Sequence, residues 1–106
     1  EICKRAGVQV AFGTDLLGQL QVEQSREFSI RSQVVSPLEI IRSATTIGAK
    51  LLRREGQLGC IKAGAWADLL VVDGNPLKDV TVLEHQGRNL AAIMKGGKFH
   101  KNTLTA

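Results

Sequence analysis

The sequence pattern changes at Gln57 from a helical one to one of strands and turns, and this change limits the folds that the chain can form. Before Gln57 the strongest local signal is the run Ser36-Pro37-Leu38-Glu39, with a serine N-cap, a proline at the first helical position and a glutamate at the third. This capping box predicts a helix that begins at Pro37. After Gln57 the pattern favours short strands and turns. The sequence therefore predicts an α/β chain whose helices come first.

Two more helices are predicted in the first half of the chain. One covers residues 22–35, where Glu27 and Arg31 form an i,i+4 ion pair in the favourable order, although the apolar stripe of this helix is thin. The other covers residues 47–53, after an N-cap at Thr46, and is expected to end at Gly56 because glycine commonly follows the last helical residue.

Strand signals lie on both sides of these helices. Alternating apolar residues predict a short strand over residues 8–12, followed by a loop over residues 16–21. Residues 68–73, with the sequence DLLVVD, form the clearest strand because four consecutive apolar residues are enclosed by acids. Residues 90–95 and 98–102 flank two consecutive glycines. Since glycine tolerates positive φ at both turn positions, this pattern predicts a hairpin.

Charge and hydropathy exclude two classes of partner. The net charge is +4, but basic and acidic residues alternate along the chain, and only residues 95–101 are locally basic. This distribution is typical of a mixed, solvated surface rather than of a nucleic-acid interface. The longest strongly apolar run, residues 69–72, is far too short to cross a membrane. We therefore expect neither nucleic acid nor membrane as a partner.

The cysteines indicate the redox environment. Cys3 and Cys60 lie far apart and form no CxxC motif, so two free thiols in a reducing compartment are expected. A cytoplasmic location is favoured on this ground. The chain begins with Glu1 rather than methionine, so the true N-terminus, and any targeting signal with it, is expected to lie elsewhere.

Side chains suited to catalysis are few. His85 and His100 are separated in sequence, and no HxH, HExxH or CxxC pattern accompanies them, so both are interpreted as solvated histidines. Asp15 differs because it follows the predicted strand at residues 8–12. An acid at the carboxyl end of a strand is a common functional placement in α/β barrels. The alternative is an ordinary turn aspartate, which these residues alone favour.

Four segments, taken together, resemble one family. They are GVQVAFGTD (residues 7–15), SPLEIIRSAT (36–45), LGCIKAGAWADLLVVDGNPLKDV (58–80) and AIMKGGKFHKN (92–102). In this order and spacing they resemble the C-terminal part of the amidohydrolase superfamily of metal-dependent hydrolases. The most similar branch contains the imidazolonepropionase-like and the Xaa-Pro or Xaa-Arg dipeptidase-like enzymes.

The resemblance implies a fold and a site. Such enzymes hold one or two divalent metals, usually zinc, in a (β/α)₈ barrel, beside a small β-sandwich built from both chain ends. Their metal ligands come from several barrel strands, and the last is an aspartate on the eighth strand. Asp15 matches that position, so the resemblance makes it a metal ligand and the general base. Asp68, Asp73 and Asn75 match turn positions and are interpreted as structural.

The resemblance also implies an incomplete enzyme, since a whole barrel needs roughly 250 residues and this chain has 106. Residues 1–56 would be the last barrel strand and the helices after it, and residues 57–106 the C-terminal strands of the composite sandwich. The parent would hydrolyse carbon–nitrogen bonds in amide, cyclic amide or dipeptide substrates with a divalent metal, zinc being favoured. The chain alone is expected to be inactive and metal-free. The alternative is a non-catalytic folding or oligomerisation module, and unpaired strand edges predict self-association.

Overall fold

A computed structural model describes residues 1–104, apart from the side chain of Gln86. Its helices and strands in this range are α1 (Ile2–Arg5), α2 (Glu27–Ser32), α3 (Pro37–Ala44), α4 (Thr46–Leu51), β1 (Leu69–Val72), β2 (Leu90–Lys95) and β3 (Lys98–Asn102). Three 3₁₀ helices cover Gly18–Arg26, Val80–Leu83 and His85–Gly87. The chain is thus an α/β structure with helices first and an antiparallel sheet last, as the sequence predicts.

Helix α3 begins where the capping box predicts. The Ser36 hydroxyl accepts a hydrogen bond from the Glu39 amide (3.3 Å), and the Ser36 amide donates one to the Glu39 carboxylate (2.9 Å). Ile40 is fully buried and Ser43 is nearly so, and both lie one turn apart on the same face. The capped end and the buried face therefore fix both the start and the orientation of α3.

The sheet is antiparallel with the order β1-β2-β3. Leu70 of β1 lies opposite Ile93 of β2, and β2 turns into β3 through Gly96 and Gly97, whose φ angles are 56° and 78°. Ala92, in the middle of β2, is fully buried. The strand at DLLVVD and the glycine hairpin are therefore confirmed, because both depend on local turn chemistry and on apolar runs.

The strand predicted over residues 8–12 is wrong for the described part of the chain, where this segment belongs to no sheet. Its backbone is held instead by single bonds: the Val8 amide donates to the Cys3 carbonyl (3.0 Å) and the Phe12 amide to the Ser43 carbonyl (3.1 Å). A strand exists only as part of a ladder, and residues 1–104 place no second strand beside this one.

The long helix predicted over residues 22–35 is also wrong in extent. A 3₁₀ helix covers Gly18–Arg26, so the loop predicted at residues 16–21 ends early, and α2 follows over only Glu27–Ser32. Neither helix contains a buried residue. With so thin an apolar face, packing contributes little to a longer α-helix, and short α-helices are marginal without packing.

Helix α4 is displaced by one residue from its predicted start. It covers Thr46–Leu51, its N-cap position is Thr45 rather than Thr46, and it ends well before Gly56. The Thr45 hydroxyl donates to the Ile41 carbonyl (2.7 Å) of α3 and makes no capping bond. Gly59 (φ 67°) then passes so close to the Thr45 carbonyl that a Cβ atom there would collide with it. Close approach to the α3–α4 junction thus requires glycine at this position.

The interior is small for a chain of this length. The buried apolar residues are Ile40, Ala49, Val80 and Ala92. The accessible surface is 7909 Å², whereas a folded monomer of 11.5 kDa typically exposes about 5,800 Å². The chain therefore exposes about 2,100 Å² more than expected from its mass. None of the helices in residues 1–104 has the length and apolar character needed to cross a lipid bilayer.

The capping box makes α3 sensitive to pH. Hydrogen bonds from the Ser36 backbone and hydroxyl, together with the nearby Lys4 ammonium, hold the pKa of Glu39 below its ordinary value of 4.5. Because the folded-state pKa is lowered, the ionised carboxylate stabilises the fold above pH 4.5, and this contribution is lost as the pH falls through the folded-state pKa.

We predict that Ser36→Ala raises the pKa of Glu39, measured by carbon-13 NMR titration, and reduces the acid sensitivity of thermal unfolding. The cause is the loss of the Ser36 hydroxyl, one of the hydrogen-bond donors that favour the charged carboxylate. Ser32→Ala is the control, since the Ser32 hydroxyl bonds the Ser29 carbonyl and not Glu39. An unchanged pKa of Glu39 in Ser36→Ala would contradict the prediction.

Candidate active site

Asp15 lies on the surface, three residues after Phe12. Its φ of 55° places the backbone in the left-handed region, which aspartate tolerates better than most residues do. The side chain is exposed, and the preceding Thr14 hydroxyl accepts a hydrogen bond from the Leu16 amide (3.4 Å). Among the hydrogen bonds and ion pairs within residues 1–104, none involves the Asp15 carboxylate. The carboxylate is therefore available to a group from outside these residues.

The segment that leads to Asp15 is fastened to three helices. The Phe12 amide donates to the carbonyl of the buried Ser43 in α3 (3.1 Å). The Ala11 carbonyl accepts a hydrogen bond from the Arg31 guanidinium of α2 (3.3 Å). The Gln9 side-chain carbonyl accepts one from the Lys50 ammonium of α4 (3.0 Å). Side-chain and helix contacts thus replace the strand ladder that the sequence predicts here.

Aromatic packing supports the same segment. The rings of Phe12 and Phe28 have centroids 4.7 Å apart in a tilted arrangement. The Arg31 guanidinium lies 4.8 Å from the centroid of the Phe12 ring, and its Nε donates to the Glu27 carboxylate at 2.7 Å. The sequence predicts the Glu27–Arg31 pair, but not its contact with residues 11 and 12. No periodicity in the sequence signals a contact between residues twenty positions apart.

The two histidines lie away from this segment. His100 is exposed on β3, as the sequence predicts. His85, with φ of 59°, lines a cavity of about 440 Å³ together with Glu23, Arg26 and Glu84, and its Nε2 is 4.0 Å from the Glu84 carboxylate. The sequence predicts a solvated His85, and its side chain is exposed, but the sequence gives no signal for its contact with the partly buried Glu84.

The donor set for a metal is incomplete in this part of the chain. Over residues 1–104, no three His, Cys, Asp or Glu side chains are grouped so that they could hold a metal ion. Asp15 has the chemistry of a single carboxylate ligand, whereas a catalytic zinc usually takes three protein ligands. The described residues therefore do not fit a complete metal centre. The cysteines are free, Cys3 exposed and Cys60 partly buried.

The class of protein follows from sequence and fold together. The profile of the amidohydrolase family matches residues 1–99, and the chain belongs to this family. Family members generally use divalent metals. A curated relative, the ochratoxinase of Aspergillus niger, is 30% identical over 98 residues, which is 92% of this chain and 20% of the relative.

Solved structures narrow the position within the family. The solved structure of an amidohydrolase is 52% identical in sequence and has a TM-score of 0.96. The match covers 98% of this chain and 25% of the amidohydrolase chain. A prolidase bound to N-methylphosphonate-L-proline is 46% identical, with a TM-score of 0.90. A Xaa-Pro dipeptidase with methionine in its active site is 37% identical, with a TM-score of 0.85. These two enzymes cover 95% of this chain, which spans about a quarter of their length. The similarity to the Xaa-Pro dipeptidase-like branch is confirmed.

We predict that the 106-residue chain, purified and dialysed, retains no stoichiometric zinc, because one carboxylate cannot replace about three ligands. Metal content is measured by inductively coupled plasma mass spectrometry, with Asp15→Asn as the matched control. The variant should have the same background content as the wild type. One tightly held zinc per chain, lost in Asp15→Asn, would show that a full site exists.

Proposed function

We propose that the chain is part of a metal-dependent hydrolase that cleaves carbon–nitrogen bonds, and that Asp15 belongs to its catalytic centre. The observation that carries the proposal is the placement of Asp15: an exposed carboxylate with a left-handed backbone, at the end of a segment fastened to three helices. Backbone strain of this kind is concentrated at functional sites. Membership of the amidohydrolase family supports the same role.

Asp15 is proposed to act both as a metal ligand and as the general base. A carboxylate is a suitable ligand for a divalent cation, with zinc as the favoured ion, and the remaining ligands must come from outside the described residues. A carboxylate beside the attacking water can accept its proton and deliver it to the leaving nitrogen. The bound metal would supply a water molecule whose pKa is lowered towards neutrality.

Dipeptides with a C-terminal proline are the first substrates to test. The solved structures that resemble this chain include a prolidase and a Xaa-Pro dipeptidase, whereas the curated relative is an ochratoxinase. In barrel enzymes the loops at the mouth determine specificity, and these loops come from several strands. In the proposed barrel, residues 1–104 would supply the short loop that follows Asp15 and ends before the 3₁₀ helix at Gly18.

A non-catalytic folding or oligomerisation module is the second candidate. The observation that favours it is the exposed apolar surface: Val8 and Val10 are half-exposed, and together with Val34 they line a groove of about 520 Å³ next to α3. The two candidate functions predict different residues in the coding sequence upstream of Glu1. A hydrolase requires an HxH pair and further strand-end histidines there, whereas a module does not.

We predict that Asp15→Asn lowers kcat of the parent enzyme by about a hundredfold or more, because the neutral amide cannot act as a base. Folding should change little, since asparagine is nearly isosteric with aspartate. Asp73→Asn is the matched control: this residue also follows an apolar run, and its amide donates to the Asn89 carbonyl (2.7 Å), a turn contact that the variant keeps. Turnover of an Xaa-Pro dipeptide is measured per folded enzyme. Turnover of Asp15→Asn equal to that of wild type would exclude Asp15 from the chemistry.

We also predict that the 106-residue chain self-associates through the groove lined by Val8, Val10 and Val34. The excess surface of about 2,100 Å² on one chain exceeds the roughly 800 Å² that each partner buries in a standard interface. Light scattering over a concentration series should show a mass above that of the monomer, and Val10→Lys should reduce it. Ile61→Lys, at a residue that is 88% exposed and outside the groove, should not. A monomeric mass at every concentration would contradict this prediction.

A further inference from the structure

Arg31 of α2 makes polar contacts with the segment before Asp15, in addition to the packing of the Phe28 ring on Phe12. Its guanidinium makes three contacts at once: Nε donates to the Glu27 carboxylate (2.7 Å), Nη2 donates to the Ala11 carbonyl (3.3 Å), and Cζ lies over the Phe12 ring, 4.8 Å from its centroid. A guanidinium is suited to this combination because its donors are fixed in a plane that can also stack. Lysine cannot make all three contacts.

The ion pair between Arg31 and Glu27 is more buried than the neighbouring pair between Arg26 and Glu23. The side chains of Arg31 and Glu27 are 18% and 22% exposed, whereas those of Arg26 and Glu23 are 69% and 47% exposed. Exposed pairs contribute little because solvent screens them and side-chain entropy opposes them. The partly buried pair is screened less, so Glu27 holds the guanidinium in the orientation that Ala11 and Phe12 require.

The contact lies close to the proposed catalytic group along the chain. Only Gly13 and Thr14 separate Phe12 from Asp15, and neither of them is part of a helix or strand. Within residues 1–104 no strand ladder holds this segment, so there the position of Asp15 depends on the contacts of residues 11 and 12. We infer that Arg31, oriented by Glu27, is a positioning residue that sets the placement of the Asp15 carboxylate. This inference rests on the proposed function of Asp15.

The physical reason is the steep dependence of catalysis on geometry. A displacement of about 1 Å at a reacting group can cost about a hundredfold in rate. Without the guanidinium, the nearest backbone contact that holds the segment would be the hydrogen bond from the Phe12 amide to the Ser43 carbonyl. The carboxylate would then sample more positions. Turnover should fall, while binding of the rest of the substrate should not change.

The test uses Arg31→Met, Arg31→Lys and Glu27→Gln in the parent enzyme, with Arg26→Met as the matched control. With an Xaa-Pro dipeptide as the probe, kcat per folded enzyme should fall about tenfold to hundredfold in Arg31→Met. KM should stay within about twofold, which separates positioning from substrate binding. Arg31→Lys and Glu27→Gln should fall between Arg31→Met and wild type, and Arg26→Met should match wild type.

A second measurement reports the segment directly. Hydrogen exchange of the Phe12 amide, which donates to the Ser43 carbonyl, should accelerate in Arg31→Met, Arg31→Lys and Glu27→Gln but not in Arg26→Met. If Arg31→Met does not fold, Arg31→Lys and Glu27→Gln decide the outcome by the same two measurements. A kcat equal to wild type in the folded Arg31 variants, or an equal fall in Arg26→Met, would overturn the inference.

Asp15→Asn, measured beside these variants, separates the two proposals. If Asp15→Asn is inactive and the Arg31 variants turn over like wild type, the positioning role alone fails. If Asp15→Asn turns over like wild type, the proposed function of Asp15 fails, and the role of Arg31 fails with it. If kcat is low in Asp15→Asn and in the Arg31 variants, and KM is unchanged in the Arg31 variants, the result supports the catalytic role of Asp15 and the positioning role of Arg31.

Discussion

The contact between the segment at residues 8–12 and helix α3 is the constraint on which the described structure depends. Ile40 and Ser43 form much of the small buried interior, and the Ser43 carbonyl accepts the Phe12 amide. The capping box holds the start of α3, so that this buried face is presented at a fixed position. Without α3, the segment that ends at Asp15 would lose the backbone bond nearest to it.

A second layer of contacts, made by side chains of α2, reinforces the anchoring of the segment that ends at Asp15. The Phe28 ring and the Arg31 guanidinium both contact Phe12, and Arg31 is itself held by Glu27. These residues belong to α2, which has no fully buried residue of its own. The short helix is therefore stabilised by the same contacts that fasten the segment before Asp15. Stability and placement of the carboxylate depend on one set of side chains.

The chain exposes a large surface, and it is much shorter than the solved structures that it resembles. The chain spans about a quarter of the solved structures that it resembles, and it exposes about 2,100 Å² more than a monomer of its mass usually does. Large apolar side chains are among the exposed residues, including Val8 and Val10 beside α3. A surface of this size favours a further partner, and a metal site requires more ligands than Asp15 supplies. The proposed metal chemistry therefore needs ligands from outside residues 1–104.

The sequence by itself determined the features that arise from neighbouring residues. The start of α3, the strand β1 and the hairpin between β2 and β3 follow from a capping box, an apolar run and paired glycines, all of which act over a few residues. The Glu27–Arg31 pair is equally local. Residue patterns also indicate the family and make Asp15 a candidate catalytic residue.

Tertiary structure alone decided the state of residues 8–12 and the partners of Arg31. A strand needs a neighbouring strand, and an alternating pattern does not specify whether one is present. The contacts from Arg31 to Ala11 and Phe12 join residues about twenty positions apart, so they depend on how α2 packs against the segment. Sequence periodicity records which face of an element is apolar, but it does not record which distant backbone group a guanidinium reaches.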